Sequence, residues 1–190
     1  MSKKRRRKKR KNSTVDIISV YGVLLFFYFF SSGSAKTSIL KPIILLTIIL
    51  LIIAGTDILK KKWKKEKYLN SSLYVIDNMK GEEFEEFLKA HFEKLGYKVK
   101  LTPASNDYGA DLILEKNDEK IAVQAKRYRD KVGNAAIQEV AGAIRYYNCT
   151  SGLVVTNSFF TKNAINLAEK CQIELWDRNT IKENFKIIEK

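Results

Sequence analysis

Three side chains near the middle of the chain have the types and spacing of a hydrolytic site. In "KIAVQAKRY", residues 120–128, the residues alternate as in a strand. Ile121, Val123 and Ala125 fall on one face, and Gln124 and Lys126 fall together on the other. Asp111, in "NDYGAD", opens the apolar segment just before it. Two strands joined by a short turn bring Asp111 to the far end of the strand that carries Gln124 and Lys126. The carboxylate and amide oxygens suit a hard divalent cation such as Mg²⁺ or Mn²⁺. An ammonium beside them can hold a water or meet phosphate charge, so the set fits phosphodiester hydrolysis. The same residues also fit plainer roles: Gln124 and Lys126 a solvated strand face, Asp111 an acid that closes a turn.

The surrounding elements must place these residues. "GEEFEEFLKAHFEKLG", residues 81–96, has Phe84, Phe87, Leu88, Phe92 and Leu95 on one helical face, acids in its first turn and Gly96 at its end. Residues 97–101 and 110–115 read as strands, with "TPASNDYG" between them as a turn, and 120–128 is the third strand. Helical spacing returns at 134–147, and residues 152–156 form a short apolar strand. Residues 161–171 are helical, 173–176 a strand, and "NTIKENFKII" a last helix. This order predicts an α/β module with a mixed sheet, an antiparallel meander followed by strands joined through crossover helices.

With these elements in order, D-x₁₂-Q-x-K resembles the variant of the PD-(D/E)xK nuclease motif found in Mrr-like restriction endonucleases. "GEEFEEFL" is similar to that family's opening helix, whose Glu in the "FE" pair helps bind metal, here Glu85. "NDYGADLIL" resembles its D-x-G-x-D stretch, here Asp107, Gly109 and Asp111. "VQAKRY", "VGNAAIQEVAGA" and "GLVVTNSFFTKNA" resemble the core motif, the next helix and the next strand and turn. The resemblance implies a restriction-endonuclease-like fold and DNA as substrate, with restriction of foreign DNA as the role. It implies Asp111, Gln124 and Glu85 as metal ligands, and Lys126 as the group that positions water or stabilises charge. One alternative is a DNA-binding or structural module that kept the fold and lost the chemistry, and another is a membrane-tethered module that recruits a protein partner. Gln138 and Glu139 suit structure or function equally, His91 suits packing or helix surface, and Phe159 and Phe160 suit the core before base-stacking.

Charge divides the chain. Its net +14 falls wholly in residues 1–67, which hold 17 Lys/Arg and 3 Asp/Glu, while residues 68–190 are neutral. The high pI is therefore not in itself a nucleic-acid signal. Within the neutral part, Lys126, Arg127, Arg129, Lys131 and Arg145 are expected to form a local DNA-binding patch. In the basic part, two uncharged apolar runs, about 17–33 and 39–56, read as a transmembrane hairpin within residues 15–58. A nine-residue basic run, Lys3 to Lys11, precedes it, and "LKKKWKKEK", residues 59–67, follows. Both ends are then expected in the cytoplasm, against anionic headgroups, with Trp63 and Tyr68 near the interface. A cleaved signal peptide ending near Ala35 is the rival reading of the first run. The expected divisions are a polybasic tail at 1–14, the hairpin, a basic linker at 59–77 and a nuclease domain at 78–190, with a homodimer possible. His91 is the only histidine and no CxxC occurs, which excludes the usual zinc sites.

Overall fold

The computed structural model describes residues 22, 37–103 and 108–187. The first expected apolar segment therefore lies outside the described residues apart from Gly22, and so does Asp107. The chain divides into two compact units, residues 1–61 and 62–190. Helix α1, Thr37–Leu69, begins in the first. From Pro42 it is long and apolar enough to cross a membrane. Leu45, Leu46 and Leu51, which fall on different sides of the helix, are 43%, 57% and 47% exposed, so this stretch shows no polar face to water. Its hydroxyls are satisfied within the helix: Thr47 donates to the Ile44 carbonyl and Thr56 to that of Ile53, each at 2.8 Å.

The second unit contains the remaining elements: α2 Leu73–Asp77, α3 Gly81–Lys94, β1 Lys98–Leu101, β2 Leu112–Lys116, β3 Glu119–Lys126, α4 Asn134–Tyr146, β4 Ser151–Thr156, α5 Lys162–Cys171, β5 Ile173–Trp176 and α6 Arg178–Phe185. The five strands lie in sequence order in one sheet. β1, β2 and β3 pair antiparallel, and β3, β4 and β5 pair parallel. β3 is thus the strand where the antiparallel meander meets the crossover half, as the order of elements predicts.

Alternation along β3 feeds two apolar layers. Val123, with Leu112, Leu114, Leu153 and Val155, packs against Phe84, Phe87 and Leu88 of α3. Ala122, with Ile113 and Val154, packs against α4 and α5 through Ile137, Val140 and Ala164. Local chemistry sets the helix starts: Glu83 accepts from the Lys80 amide at 2.9 Å, Thr161 from the Ala164 amide at 3.2 Å and Asp177 from the Thr180 amide at 2.9 Å.

Two expectations for residues 59–77 change. Much of this stretch is helical rather than linker, because α1 runs to Leu69 and α2 follows. Tyr68, expected near headgroups, is 5% exposed and belongs to the α3 core with Leu73 and Ile76. The chain turns back directly after it, where Asn70 and Ser71 side chains donate to the Glu66 and Lys67 carbonyls. Trp63, by contrast, is 76% exposed.

His91 is a packing residue. Its ring lies 4.4 Å from those of Phe87 and Phe185, and Nε2 donates to the Tyr68 carbonyl at 3.3 Å. Burial, the largest influence, pushes its pKa down to about 4. The unfolded chain binds this proton near pH 6.5, so stability is lost as pH falls from about 6.5 to about 4, by roughly 3 kcal/mol in total. Chemical denaturation of the parent and His91→Leu across that window should show the difference between them changing by this amount. A constant difference would mean the buried ring does not govern the acid response.

Candidate active site

Asp111, Gln124 and Lys126 meet at one end of β2 and β3. The register Leu112↔Val123, carried one step further, sets Asp111 opposite Gln124. The Asp111 amide donates to the Val123 carbonyl at 2.8 Å, and its Oδ2 accepts from the Ala125 amide at 2.7 Å. The Asp111 carboxylate is therefore held at the peptide between Gln124 and Lys126. Thr102 fixes the other side of the turn, donating its hydroxyl to the Ala110 carbonyl at 2.6 Å.

Gln124 is 4% exposed, not on a wet face as its polarity would suggest. α4 covers the face that Ala122 and Gln124 share. Its Oε1 is buried and has no hydrogen-bond partner. An unpaired buried amide oxygen costs about 1–3 kcal/mol, so this acceptor is open to a water or a ligand.

Lys126 is also largely covered, with 17% of its side chain exposed, and its Nζ lies 2.7 Å from Glu139 Oε2 on α4. Burial opposes its charge, but the hydrogen bond and charge of Glu139, helped by Tyr128 and Asp111, outweigh it and hold the ammonium pKa above its ordinary value. Lys126 stays a cation, and Glu139 restrains it. Of the pair weighed on this helix, Glu139 is thus part of the site's geometry, while Gln138 is exposed.

Gly109 sets the distance between this turn and α4. Its φ is +88°, and a Cβ there would lie 2.3 Å from the Glu139 carbonyl oxygen. Any side chain would push the turn that leads into Asp111 away from the backbone of the residue that holds Lys126. The Gly of the D-x-G-x-D stretch is a spacer between the two halves of the site.

The other expected residues are spread more widely. Glu85 is half-buried on α3, the helix that covers the opposite face of the sheet. Arg127 is half-buried, with Nε buried and unpaired, while Arg129 and Lys131 are exposed just beyond β3. Arg145 does not join them. It is six residues beyond Glu139, about 9 Å along α4 and about 240° around it. That end of α4 adjoins the start of β3, where Lys120 donates to the Tyr147 carbonyl. Phe160 is core as expected, but Phe159 is 41% exposed. Cys149 and Cys171 are free thiols, and burial pushes the Cys149 thiol up, away from a reactive thiolate.

A second polar assembly stands at the ends of the parallel strands. Arg178 donates to both carboxylate oxygens of Asp77, at 2.6 and 2.8 Å, and to the Asn157 carbonyl at 3.1 Å. The Asn157 amide donates to Asp77 at 3.0 Å, and its oxygen accepts from the Tyr128 amide at 2.8 Å. Burial works against the Asp77 charge, but the bonds from Arg178 and Asn157 prevail and hold its carboxyl below the usual range. The sequence offered one faint signal for this group, polar residues directly after the apolar runs 152–156 and 173–176.

Among the described residues no group of three or more His, Cys, Asp and Glu side chains converges on a point. The donor set at Asp111 and Gln124 still fits a small divalent cation. Mg²⁺ is commonly held by one or two carboxylates and keeps several waters or substrate phosphates as its remaining ligands. The unpaired Gln124 Oε1 supplies a further oxygen.

The fold is an α/β module with a five-stranded mixed sheet, and the candidate site stands at the end of its central strand. The chain matches the Mrr catalytic-domain family, described as restriction endonuclease, over residues 76–185, and it belongs to that family. It is 35% identical over 96 residues to the uncharacterized protein y4cE of Sinorhizobium fredii (strain NBRC 101917 / NGR234), covering 47% of this chain and 25% of that one. The chain thus spans about a quarter of the length of that relative. Among solved structures, it is similar to the DNA modification-dependent restriction endonuclease AspBHI, with a TM-score of 0.48 and 20% identity, over 65% of this chain and 35% of the other. It is also similar to AF1548, a protein of unknown function, with a TM-score of 0.44 and 16% identity, over 50% and 56% of the two chains.

Gly109→Ala should destabilise the domain by about 3 kcal/mol, from a strained φ and a backbone clash together. Urea unfolding measures this. A change below about 1 kcal/mol would show that the turn moves off α4 freely.

Proposed function

We propose that this chain is a divalent-metal-dependent DNA endonuclease that hydrolyses phosphodiester bonds, anchored to the membrane and acting in restriction of foreign DNA. The observation that carries this reading is the buried, unpaired Gln124 oxygen opposite the anchored Asp111 carboxylate, with the Lys126 ammonium on the same rim. Family membership supports hydrolysis over mere binding.

Asp111 and Gln124 would hold Mg²⁺ or Mn²⁺, which when bound supplies Lewis-acid polarisation of the phosphate and an acidified water, and Glu85, the third ligand the resemblance implies, would have to reach it from α3 on the other side of the sheet. Lys126 positions the attacking water and stabilises the negative charge that builds on the phosphate oxygens. Its partial burial strengthens that effect, since charge interactions grow as water is excluded. Glu139 keeps the ammonium aimed at the rim and keeps it protonated. Arg127, Arg129 and Lys131 meet the flanking phosphates, with Arg145 contacting DNA only where the duplex reaches the far end of α4.

The apolar part of α1 supports a bilayer anchor. With residues 17–33 it would form a two-pass hairpin whose ends face the cytoplasm, the basic runs at 3–11 and 59–67 lying on anionic lipid and Trp63 at the interface. A homodimer would bring two such sites to the two strands of a duplex.

Lys126→Ala should keep its melting temperature, because the partner Glu139 is 42% exposed and the lost pair is worth about 1 kcal/mol or less. Its cleavage of DNA under Mg²⁺ should fall 10²-fold or more. Parental cleavage by this variant would remove Lys126 from the reaction. Gln124→Met should act in the opposite direction on stability. It removes an unpaired buried oxygen, so the metal-free protein should melt higher, while the rise in melting temperature that Mg²⁺ or Mn²⁺ gives the parent should vanish. A metal-induced shift that survives in both Gln124→Met and Asp111→Asn would place the cation elsewhere.

A further inference from the structure

Beside the candidate active site, at the carboxyl ends of the parallel strands, lies a cleft of about 410 Å³. This is within the range of small-ligand sites, about 300–1,000 Å³, and such sites favour this position in open α/β sheets. Its lining includes Tyr128, Arg129, Asn157, Phe159 and Arg178. Tyr128 is 48% exposed and Phe159 41%, although both adjoin buried strands.

Backbone hydrogen bonds tie the walls together. The Tyr128 amide is bonded to the buried Asn157 side chain. The Val132 amide donates to the Phe159 carbonyl at 2.8 Å, and the Thr161 amide returns to Val132 at 2.9 Å. The segment after β3 is therefore stapled to the segment after β4. Two exposed aromatic residues therefore line one cleft on backbone that these bonds fix.

The charge of the cleft is equally defined. Asp77 is clasped by Arg178, so the two cancel. Arg129 then leaves the cleft net positive. Aromatic faces with a spare guanidinium make up the chemistry that binds nucleotides, through stacking on the base and attraction to the phosphate. Tyr128 follows Lys126 by two residues, so their Cα atoms are at most about 7 Å apart.

We propose that this cleft receives an unstacked nucleotide adjoining the phosphate that Lys126 faces, so that the favoured substrate is DNA with an unpaired or flipped base beside the cut. The inference rests on the nuclease reading of the neighbouring rim. Inside a paired duplex both faces of each base are covered by its neighbours, so only an extruded or single-stranded base can stack on Tyr128 and Phe159.

The experiment uses the full chain in mild detergent with EDTA present, so that binding is separated from cleavage. The probes are two duplexes of one sequence, one fully paired and one with a single bulged 2-aminopurine. The parent should bind the bulged duplex about tenfold more tightly and quench its fluorescence. Phe159→Leu and Tyr128→Ala should bring the two affinities to within about twofold while leaving affinity for the paired duplex and the melting temperature unchanged. Phe159→Trp should restore the preference. Equal binding of both probes by the parent, or a preference that survives both substitutions, overturns the proposal. Asp111→Asn, assayed in parallel, should keep the preference, and a cleavage assay with Mg²⁺ on the parent reads the nuclease assignment separately.

Discussion

The candidate site depends on one hydrogen bond across the sheet, from the Ala125 amide to the Asp111 carboxylate. At this point β2 has not yet begun, and a side chain replaces the backbone acceptor that a longer strand would have offered. The substitution satisfies the amide of β3 and leaves a carboxylate at the rim between Gln124 and Lys126. Gly109 then lets α4 close over the same rim, which buries Gln124 and brings Glu139 to Lys126. Without that close approach, the amide oxygen and the ammonium would both be in water, and neither would be poised.

Burial explains the balance of cost and use here. An unpaired Gln124 oxygen weakens the ligand-free domain, and a half-covered ammonium would do so too if Glu139 did not compensate it. The compensation is uneven. The cation has a partner and the amide oxygen has none, so the site is complete on its basic side and open on its oxygen-donor side. Such a site has its orientation built in before any ligand arrives, which suits preorganised electrostatic catalysis.

The sheet was legible because its signals are local. Ile121, Val123 and Ala125 alternate with Ala122, Gln124 and Lys126, and the two sets do face different layers. The Asp111–Gln124–Lys126 grouping followed from a meander with a short turn. Features that depend on the third dimension were less legible. Gln124 looked wet because strand alternation says which face a residue is on, not whether a helix covers that face. Tyr68 looked interfacial because it follows a lysine-rich run, yet the chain reverses just after it and folds its ring inward. Arg145 was grouped by sequence proximity, and the helical turn angle carries it elsewhere. The Asp77–Asn157–Arg178 assembly left almost no trace, since its members are scattered along the chain.

That assembly also bears on how the protein comes into being. Asp77 and Arg178 are 101 residues apart, and their pairing closes nearly the whole domain into a loop. The meander that carries Asp111, Gln124 and Lys126 is built from neighbours, so it can form while the rest of the chain is still being made. The clasp cannot. Contacts this distant are made only after the intervening chain has been ordered by other means. During synthesis, then, the meander that carries Asp111, Gln124 and Lys126 can assemble early, and the cleft beside it takes shape only once α6 has been added.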